Sequence, residues 1–390
     1  MKRLYADRIE GLAQSDIRRM SVECARVGGI NLGQGICDQP IEETIKQATL
    51  RAIREDRSTY TRLEGIDELR RRIARKEREY NGIDCDPEGE VVVHVGSTGA
   101  FVTACLAFVN PGDEVVLFSP FYGYHLNILR LCGAVPRFVT LRPPDWAFDE
   151  DALRSAVTPR TKFVVVNTPG NPCGKVFTRR ELEVVAELCI RNDALCVTDE
   201  IYEYILYDGR RHISPASLPG MSDRTVTISG FSKTYAMTGW RLGYAVARRP
   251  LAEKMGVLND LINICAPAPL QYGVLAAFDL PPSYYTTMCA DYETKRDRVA
   301  DACRAAGLTP YVPQGAYYML VDIATLGYRD DREAAQRILE RCGVAVIPGS
   351  SFYADPEDGR TQVRLCYAKT MRDLEEACRR IRSLATAVPA

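Results

Sequence analysis

Short, almost continuously apolar runs alternate with amphipathic segments through the first two thirds of the chain. The apolar runs are rich in valine and isoleucine, as buried strands are, and lie at residues 91–95, 115–118, 135–141, 162–167, 194–198 and 225–229. Segments with helical spacing lie at residues 16–27, 41–55, 101–109, 149–157 and 179–191. Strands that are apolar on both faces and separated by helices are typical of a parallel sheet covered on both sides. The pattern therefore predicts an α/β fold with a mostly parallel central sheet.

The last third of the chain has a different pattern. A helical pair over 251–277 is interrupted at Ala266-Pro-Ala-Pro269, and a long helix follows over 285–306. Shorter strand-like runs at 344–348 and 362–367 then indicate an α+β arrangement. With 390 residues, the chain is long enough for two domains. We predict an N-terminal arm (1–45) that joins a small C-terminal domain (281–390), with a large domain (46–280) between them.

The charge of the chain is balanced. Its 50 Lys and Arg residues against 51 Asp and Glu residues give a net charge of −1 without a basic block, which argues against nucleic-acid or anionic-membrane binding. One charged amphipathic helix, which ends at Tyr80, is rich in arginines that we expect to face solvent. The first ten residues lack the apolar core of a signal peptide, and no apolar run is long enough to span a bilayer. We therefore expect a cytoplasmic protein.

The 14 cysteines are scattered through apolar contexts without a CxxC pair. Buried, reduced thiols are the expected state, and the spacing does not indicate a metal site. The three histidines, His94, His125 and His212, show no pairing signature. We therefore expect neither a histidine-based triad nor a zinc centre.

The stretch 229–243 is the most informative for chemistry. It contains Lys233, and a lysine on a loop is by default a solvated surface residue. Here the loop is rich in Ser, Thr and Gly, which suits close approach to a phosphate. Apolar neighbours such as Phe231 and Tyr235 favour a depressed lysine pKa, which Schiff-base chemistry requires. Arg241 offers a planar guanidinium that matches a phosphate.

Two further features follow predicted strands. Gly96-Ser-Thr-Gly99 precedes an apolar helix, and the backbone N–H groups at a helix N-terminus suit an anion. Asp199 follows the run at 194–198, and a carboxylate at a buried strand end is costly without a charged partner. Open α/β sheets place their sites at the carboxyl ends of strands. These residues and Lys233 therefore indicate a site at one edge of the sheet.

Residues 229–243 resemble the pyridoxal-phosphate (PLP) lysine signature of class I and II aminotransferases, with small residues before Lys233 and an arginine eight residues after it. The resemblance covers about residues 31–368 and includes Asn167-Thr-Pro-Gly-Asn-Pro-Cys-Gly174 and Asp199-Glu-Ile-Tyr202. It implies the PLP-transferase fold type I, with a large domain and a smaller α+β domain, and a homodimer with shared active sites. Lys233 then holds PLP as an aldimine and moves a proton as general base and acid.

The resemblance also implies which residues contact the cofactor ring. Asp199 keeps the pyridine nitrogen protonated, and Asn171 and Tyr202 bond its phenolic oxygen. Tyr122 stacks on the ring, a role that suits an aromatic side chain at a strand end. Asp199 and Tyr202 thereby join Lys233 as the implied catalytic residues.

The implied phosphate ligands are Tyr60 of the partner subunit, Ser97, Thr98, Gly99, Ser232 and Arg241. One serine hydroxyl is expected to contact the phosphate. The family has Ser or Gly three residues before the lysine, and Gly230 stands there in this chain. Ser229 and Ser232 therefore both remain open for this contact.

The implied substrate ligands are Gly35, Asn171, Tyr317 and Arg364. Gly35 touches the substrate carboxylate through its backbone. Arg364, in Gln362-Val-Arg-Leu-Cys-Tyr367, clamps the same α-carboxylate with its guanidinium, and a solvent-facing arginine is the alternative interpretation. Cys37, in the entrance loop, and Cys173, at a position expected to be packed, depart from the family pattern.

The implied reaction is amino transfer between an L-amino acid and a 2-oxo acid. Aspartate-specific members often bring an arginine from the segment that matches 263–269, where this chain has none. We therefore expect an aromatic or other uncharged amino acid, while Arg18 and Arg62 stay open as cations from elsewhere. A PLP-dependent C–S lyase that acts by β-elimination is the alternative enzyme. A non-catalytic PLP-binding regulator is less favoured, because Lys233 and Asp199 are both present.

Overall fold

The structure is a computed structural model that describes residues 4, 6–10, 12 and 15–387. Its α-helices are α1 (Asp16–Arg26), α2 (Glu43–Arg54), α3 (Asp67–Lys76), α4 (Gly96–Phe108), α5 (Gly123–Leu131), α6 (Glu150–Ala156), α7 (Arg179–Arg191), α8 (Arg249–Asn263), α9 (Ala268–Val274), α10 (Pro282–Ala305), α11 (Asp331–Cys342) and α12 (Met371–Arg382). Its strands are β1 (Ile30–Asn31), β2 (Val91–Val95), β3 (Glu114–Ser119), β4 (Val135–Thr140), β5 (Thr161–Asn167), β6 (Leu195–Asp199), β7 (Thr225–Gly230), β8 (Leu242–Val246), β9 (Thr309–Tyr311), β10 (Tyr318–Asp322), β11 (Val344–Ala345), β12 (Ile347–Pro348) and β13 (Gln362–Cys366).

Seven strands form the central sheet, in the order β2-β8-β7-β6-β5-β3-β4. Neighbouring strands pair in parallel except at β8, which is antiparallel to both β2 and β7. β3 is buried along its whole length, and β5 along most of it, because helices cover both faces of the sheet. The predicted α/β fold with a mostly parallel central sheet is confirmed.

Apolar cores cover both faces of the sheet. On one side α4, α5 and α8 contribute residues such as Phe101 and Met255. On the other side α6 and α7 contribute residues such as Leu153 and Leu188. Close packing of this kind leaves a strand little freedom to shift. The carboxyl ends of β5, β6 and β7 are therefore fixed points on which a site can be built.

The C-terminal part contains a four-stranded antiparallel sheet in the order β12-β13-β10-β9, which packs with α10, α11 and α12. Its core also includes Met20 and Cys24 of α1, and β1 pairs in parallel with β11. The N-terminal segment therefore packs on the C-terminal part of the chain. The domain limits at residues 45 and 280 stay a prediction.

Two local predictions are wrong. α4 begins at Gly96 rather than near residue 101, because Gly96, with φ of 73°, turns the chain directly into the helix. The arginines of α3 are not all solvated, since the Arg70 side chain is fully buried. It donates to the carbonyl oxygen of Pro87 at 2.6 Å and to the carboxylates of Asp67 and Glu88. Three acceptors thus compensate the burial of this charge.

All 14 cysteines are free, and most are buried, as the sequence predicts. Across the described residues, no helix is both long enough and apolar enough to cross a membrane.

Candidate active site

A cavity of about 520 Å³ lies at the carboxyl ends of β5, β6 and β7. The C-terminal sheet, α1 and the loop after β1 contribute to its walls. The predicted site residues that line it are Gly35, Ser97, Thr98, Tyr122, Asn171, Asp199, Tyr202, Ser232, Lys233, Arg241 and Arg364. The fold therefore brings together most of the residues that the sequence singles out.

Lys233 lies in the loop between β7 and β8. Its Nζ donates a hydrogen bond to the carbonyl oxygen of Gly35 at 3.2 Å, and the ring centroids of Tyr202 and Tyr317 lie 5.8 and 5.7 Å away. Burial lowers the pKa of Lys233 to about 8, because a charged ammonium is poorly solvated there. Near pH 8, a large fraction of Lys233 is therefore the neutral, nucleophilic amine.

Asp199 ends β6 with a buried carboxylate. His125 Nε2 lies 3.0 Å from Asp199 Oδ2, and the backbone N–H of Ile201 donates to Asp199 Oδ1 at 3.3 Å. Sequence reasoning missed His125, although it stands one helical turn after Tyr122 on the helix that Tyr122 precedes. A carboxylate has about four acceptor positions. Asp199 therefore retains capacity for a cationic group in the cavity.

One end of the cavity is built for an anion. The first turn of α4 presents Ser97 there, next to Arg241 at the start of β8. A Cβ at Gly243 would lie 2.4 Å from the backbone nitrogen of Ser97, and a Cβ at Gly96 would lie 2.6 Å from Arg241 Nη2. At Gly243 the backbone contact requires glycine, and at Gly96 the positive φ of 73° favours it. Helix N–H groups and a guanidinium therefore converge where a phosphate would bind.

The two serines that the sequence left open lie in different places. Ser232 lines the cavity beside Lys233. Ser229 is fully buried within β7, and its hydroxyl donates to Glu203 Oε1 at 2.6 Å. The geometry thus favours Ser232 for a contact with the phosphate. Gly99 lies in the same helical turn as Thr98 but is not among the residues that line the cavity.

Arg364 lies at the other end of the cavity and is only 1% exposed. Its Nη1 donates to Asn171 Oδ1 at 2.8 Å and its Nη2 to the carbonyl oxygen of Gly33 at 2.6 Å. The rings of Tyr318 and Phe352 lie 4.4 and 4.6 Å from its guanidinium carbon. Nε is buried and has no hydrogen-bond partner in the described part of the chain. An unpaired buried donor is costly, so this guanidinium is suited to a ligand carboxylate.

Two adjacent tyrosines define the wall near Gly35. A Cβ on Gly35 would lie 1.8 Å from Tyr318 Oη, so this loop requires glycine for its close approach. Tyr318 lines the cavity and accepts a hydrogen bond from the hydroxyl of Tyr202 at 3.0 Å. Tyr317, the predicted substrate ligand, is not among the lining residues and donates to the Gly35 carbonyl at 3.3 Å from behind the wall. Burial raises the pKa of Tyr318 to about 12, which keeps it protonated.

Some expected residues lie elsewhere. Tyr60 is 77% exposed and, with Arg62, lines a separate surface groove.

Of the two arginines that the sequence left open, Arg18 of α1 lines the cavity. Cys37 is buried, with its sulfur 2.7 Å from Tyr292 Oη, and Cys173 is packed in an apolar core. The two cysteines that differ from the family pattern are therefore packed and do not block the cavity.

The donor set of the cavity fits PLP. Arg241 and the turn at Ser97 match the phosphate, Asp199 matches a protonated pyridine nitrogen, and Lys233 matches the aldehyde. The buried, unpaired Nε of Arg364 leaves a donor for the carboxylate of an amino acid.

The chain matches the family described as aminotransferase class I and II over residues 27–381. It is 35% identical to the probable N-succinyldiaminopimelate aminotransferase DapC of Mycobacterium tuberculosis, over 98% of this chain and 99% of that protein. It is 36% identical to kynurenine–oxoglutarate transaminase 3 of Rattus norvegicus, over 95% of this chain and 88% of that protein. The solved structure of N-succinyldiaminopimelate aminotransferase from Mycobacterium tuberculosis has a TM-score of 0.94 at 35% identity, covering 98% of this chain and 100% of that chain. The predicted fold type I, the PLP cofactor and the aminotransferase activity are confirmed, and the chain belongs to the class I and II aminotransferase family.

Proposed function

We propose that this aminotransferase takes the amino group from an L-amino acid with an aromatic or other uncharged side chain and passes it to a 2-oxo acid. The observation that carries the proposal is the aromatic part of the cavity wall, where Tyr124 and Tyr318 lie beside Tyr122 and Tyr202, the two tyrosines assigned to the cofactor. Aromatic walls favour apolar or aromatic side chains. The segment 263–269 contains no arginine. One relative is named for kynurenine, which is an aromatic amino acid.

PLP supplies the electron sink for chemistry at the substrate Cα. Lys233 binds the cofactor in the resting enzyme, and its Nζ then moves the proton at the substrate Cα as general base and acid. The low pKa of Lys233 supports this role, because the base must be neutral to accept a proton. The Gly35 carbonyl, which accepts a hydrogen bond from Nζ, holds the amine at the substrate end of the cavity.

The other side chains orient the reactants. Asp199, held by His125, would keep a proton on the ring nitrogen of bound PLP, and Tyr122 would pack against that ring. Arg364 and the Gly35 backbone bind the α-carboxylate, a contact that suits the bidentate geometry of a guanidinium. Every amino acid presents this carboxylate, so these contacts align Cα for Lys233 without selecting the side chain.

A donor comparison tests the proposed substrate class. The purified, PLP-loaded protein is assayed with phenylalanine, glutamine and aspartate as donors and 2-oxo acids as acceptors. We expect the highest kcat/KM with phenylalanine or glutamine, and a tenfold or greater preference for aspartate would refute the proposal. A second assay offers a cystathionine-like substrate. Formation of a new amino acid from the 2-oxo acid reports transamination, and release of pyruvate and ammonia reports β-elimination.

We also propose a cytoplasmic homodimer in which Tyr60 reaches the cofactor phosphate of the neighbouring site. The exposure of Tyr60, away from the cavity of its own subunit, supports this arrangement. The free thiols support a reducing compartment. Hybrid dimers of a Lys233→Ala subunit with a Tyr60→Ala subunit test whether Tyr60 contributes to the active site of the partner subunit. If Tyr60 acts across the interface, each hybrid has one fully wild-type site with normal PLP affinity. If Tyr60 acts within its own subunit, no such site arises.

A further inference from the structure

The cavity contains more positive charge than PLP and one α-carboxylate require. Its charged lining residues are Arg18, Asp199, Lys233, Arg241 and Arg364. Under the proposed function, Arg241 binds the phosphate and Arg364 the α-carboxylate. Lys233 and Asp199 act at the aldehyde and at the ring nitrogen. Arg18 is the cation left without a role.

Arg18 is held at this cavity by the anchoring of α1. Met20 is buried in the C-terminal core. The Asp16 carboxylate accepts hydrogen bonds from Ser351 Oγ at 2.6 Å and from Arg332 Nη1 at 3.0 Å. The helix is therefore tied to the C-terminal part of the chain on both sides of Arg18, through Asp16 to Arg332 and Ser351 and through Met20 in the C-terminal core. Arg18 thus extends from a fixed position.

The guanidinium of Arg18 is available for a ligand. Arg18 is exposed, and over residues 15–387 no hydrogen bond or ion pair involves its side chain. The adjacent Arg19 differs, because its Nε donates to Asp16 Oδ1 at 3.1 Å and it does not line the cavity. A guanidinium that makes no ion pair in this part of the chain, at the edge of a substrate cavity, is suited to a planar carboxylate.

We propose that Arg18 binds the distal carboxylate of the dicarboxylic 2-oxo acid that accepts the amino group. This inference rests on the proposed function, because both half-reactions of a transaminase use one cavity. An uncharged donor side chain does not conflict with it. The exposed arginine has a long, flexible stem and returns to water when no distal carboxylate is bound. Arg18 is thus a specificity residue for the acceptor.

A pair of acceptors with the same five-carbon chain tests the proposal. 2-Oxoglutarate has the distal carboxylate, and 2-oxopentanoate lacks it. For Arg18→Gln we expect kcat/KM to fall about 10- to 100-fold with 2-oxoglutarate and to change less than about threefold with 2-oxopentanoate. Arg18→Lys should keep part of the preference, since it retains a point charge without the planar fork. Arg19→Gln is the matched control, because it removes the same charge one residue away. It should leave unchanged the ratio of kcat/KM with 2-oxoglutarate to kcat/KM with 2-oxopentanoate.

Binding of unreactive acids gives a second readout that does not depend on turnover. Calorimetry on the PLP-loaded protein should show tighter binding of glutarate than of pentanoate, and Arg18→Gln should abolish most of that difference. If Arg18→Gln lowers kcat/KM equally with both oxo acids, or leaves the ratio of the two kcat/KM values unchanged, the role of Arg18 is overturned while the transaminase activity stands. If the wild-type protein transaminates neither acceptor with any donor, the proposed function itself fails.

Discussion

His125 and Asp199 form a buried pair in which Nε2 of the imidazole lies 3.0 Å from Oδ2 of the carboxylate. Asp199 is fixed at the end of β6, while His125 comes from α5 and packs against the ring of Phe101, with 4.5 Å between ring centroids. The imidazole thus occupies one oxygen of the carboxylate and directs the remaining acceptor positions. We infer that His125 positions Asp199 and does not itself touch substrate.

Replacing His125 by Phe should keep the ring packing and remove the hydrogen bond. A hydrogen bond to a charged group contributes about 1.5–3 kcal/mol. We therefore expect His125→Phe to lower kcat/KM by roughly tenfold or more and to weaken PLP binding. His125→Gln retains an N–H donor and should recover part of both losses. Steady-state kinetics and PLP titration measure them, and wild-type values for His125→Phe would contradict the positioning role.

The low pKa of Lys233 predicts how the cofactor-free protein reacts with PLP. The neutral amine is the reactive form, and with a pKa of about 8 its fraction rises steeply between about pH 7 and 9. The rate of PLP incorporation, followed by visible absorbance, should therefore increase with a midpoint near pH 8. An ordinary lysine would show a midpoint more than two units higher. Borohydride reduction followed by peptide mapping should place the label on Lys233.

The same shift has a consequence for stability. The pKa of Lys233 is lower in the folded protein than in the unfolded chain, so the unfolded state binds more protons between about pH 8 and 10.5. Stability rises with pH wherever this holds. Across that window, the free energy of unfolding of the cofactor-free protein should rise faster than that of Lys233→Met, by up to about 1.4 kcal/mol per pH unit. The free energy of unfolding is measured by urea titration at each pH. If it changes with pH equally for the wild type and Lys233→Met, the ammonium of Lys233 is not destabilised by burial.

Arg364→Lys should weaken every α-amino acid substrate alike. A lysine cannot satisfy Asn171, the Gly33 carbonyl and a ligand carboxylate with the fixed fork that Arg364 provides. Losing one charge-assisted hydrogen bond of about 1.5–3 kcal/mol should lower kcat/KM roughly 10- to 150-fold. PLP content should stay near normal, because we propose Arg241, and not Arg364, as the ligand of the phosphate. An unchanged kcat/KM for phenylalanine and glutamine would refute the substrate clamp.

The sequence predicts the sheet and the residues at its strand ends well, for physical reasons. Buried parallel strands need apolar side chains on both faces, so β3 and β5 are visible as valine runs. Residues such as Asp199 and Lys233 directly follow those runs, and the sheet then brings them to one edge. The resemblance to the aminotransferases adds the chemistry that the pattern alone does not specify.

The features that the sequence did not reveal depend on contacts between distant segments. His125 contacts a carboxylate 74 positions away, and no local pattern encodes that pairing. Tyr318 and Tyr317 are adjacent in the sequence, and only the course of β10 decides which of them lines the cavity. Arg70 has the spacing of a solvated helix face, and its burial follows from the carbonyl of Pro87 lying within 2.6 Å.

A buried group of charges lies behind the lysine loop. The ammonium of Lys76 is 2.9 Å from Glu77 Oε1 and 2.5 Å from Glu203 Oε2. Glu200, Glu203 and His212 bring potential metal ligands within 4.8 Å of one another, but His212 already pairs with Glu200 at 2.6 Å. Burial alone would lower the pKa of Lys76, yet the carboxylates of Glu203 and Glu77 hold it well above its usual value. We therefore assign the group a structural role.

Removing the shared cation should destabilise the fold strongly. Lys76→Met leaves Glu77 and Glu203 buried without their positive partner, and breaking a buried pair in this way costs about 3–5 kcal/mol. Without Lys76, which lowers the pKa of Glu203 in the wild type, burial should raise the pKa of Glu203 in the folded state. Folding then takes up protons, and the loss of stability shrinks as pH falls from 8 to 5. Urea unfolding of the wild type and of Lys76→Met at pH 8 and pH 5 measures this loss in the free energy of unfolding. Lys76→Met combined with Glu203→Gln removes one stranded charge and should recover part of the loss. A deficit below about 1 kcal/mol that does not change with pH would mean that water reaches these carboxylates, and the structural role of Lys76 would then be wrong.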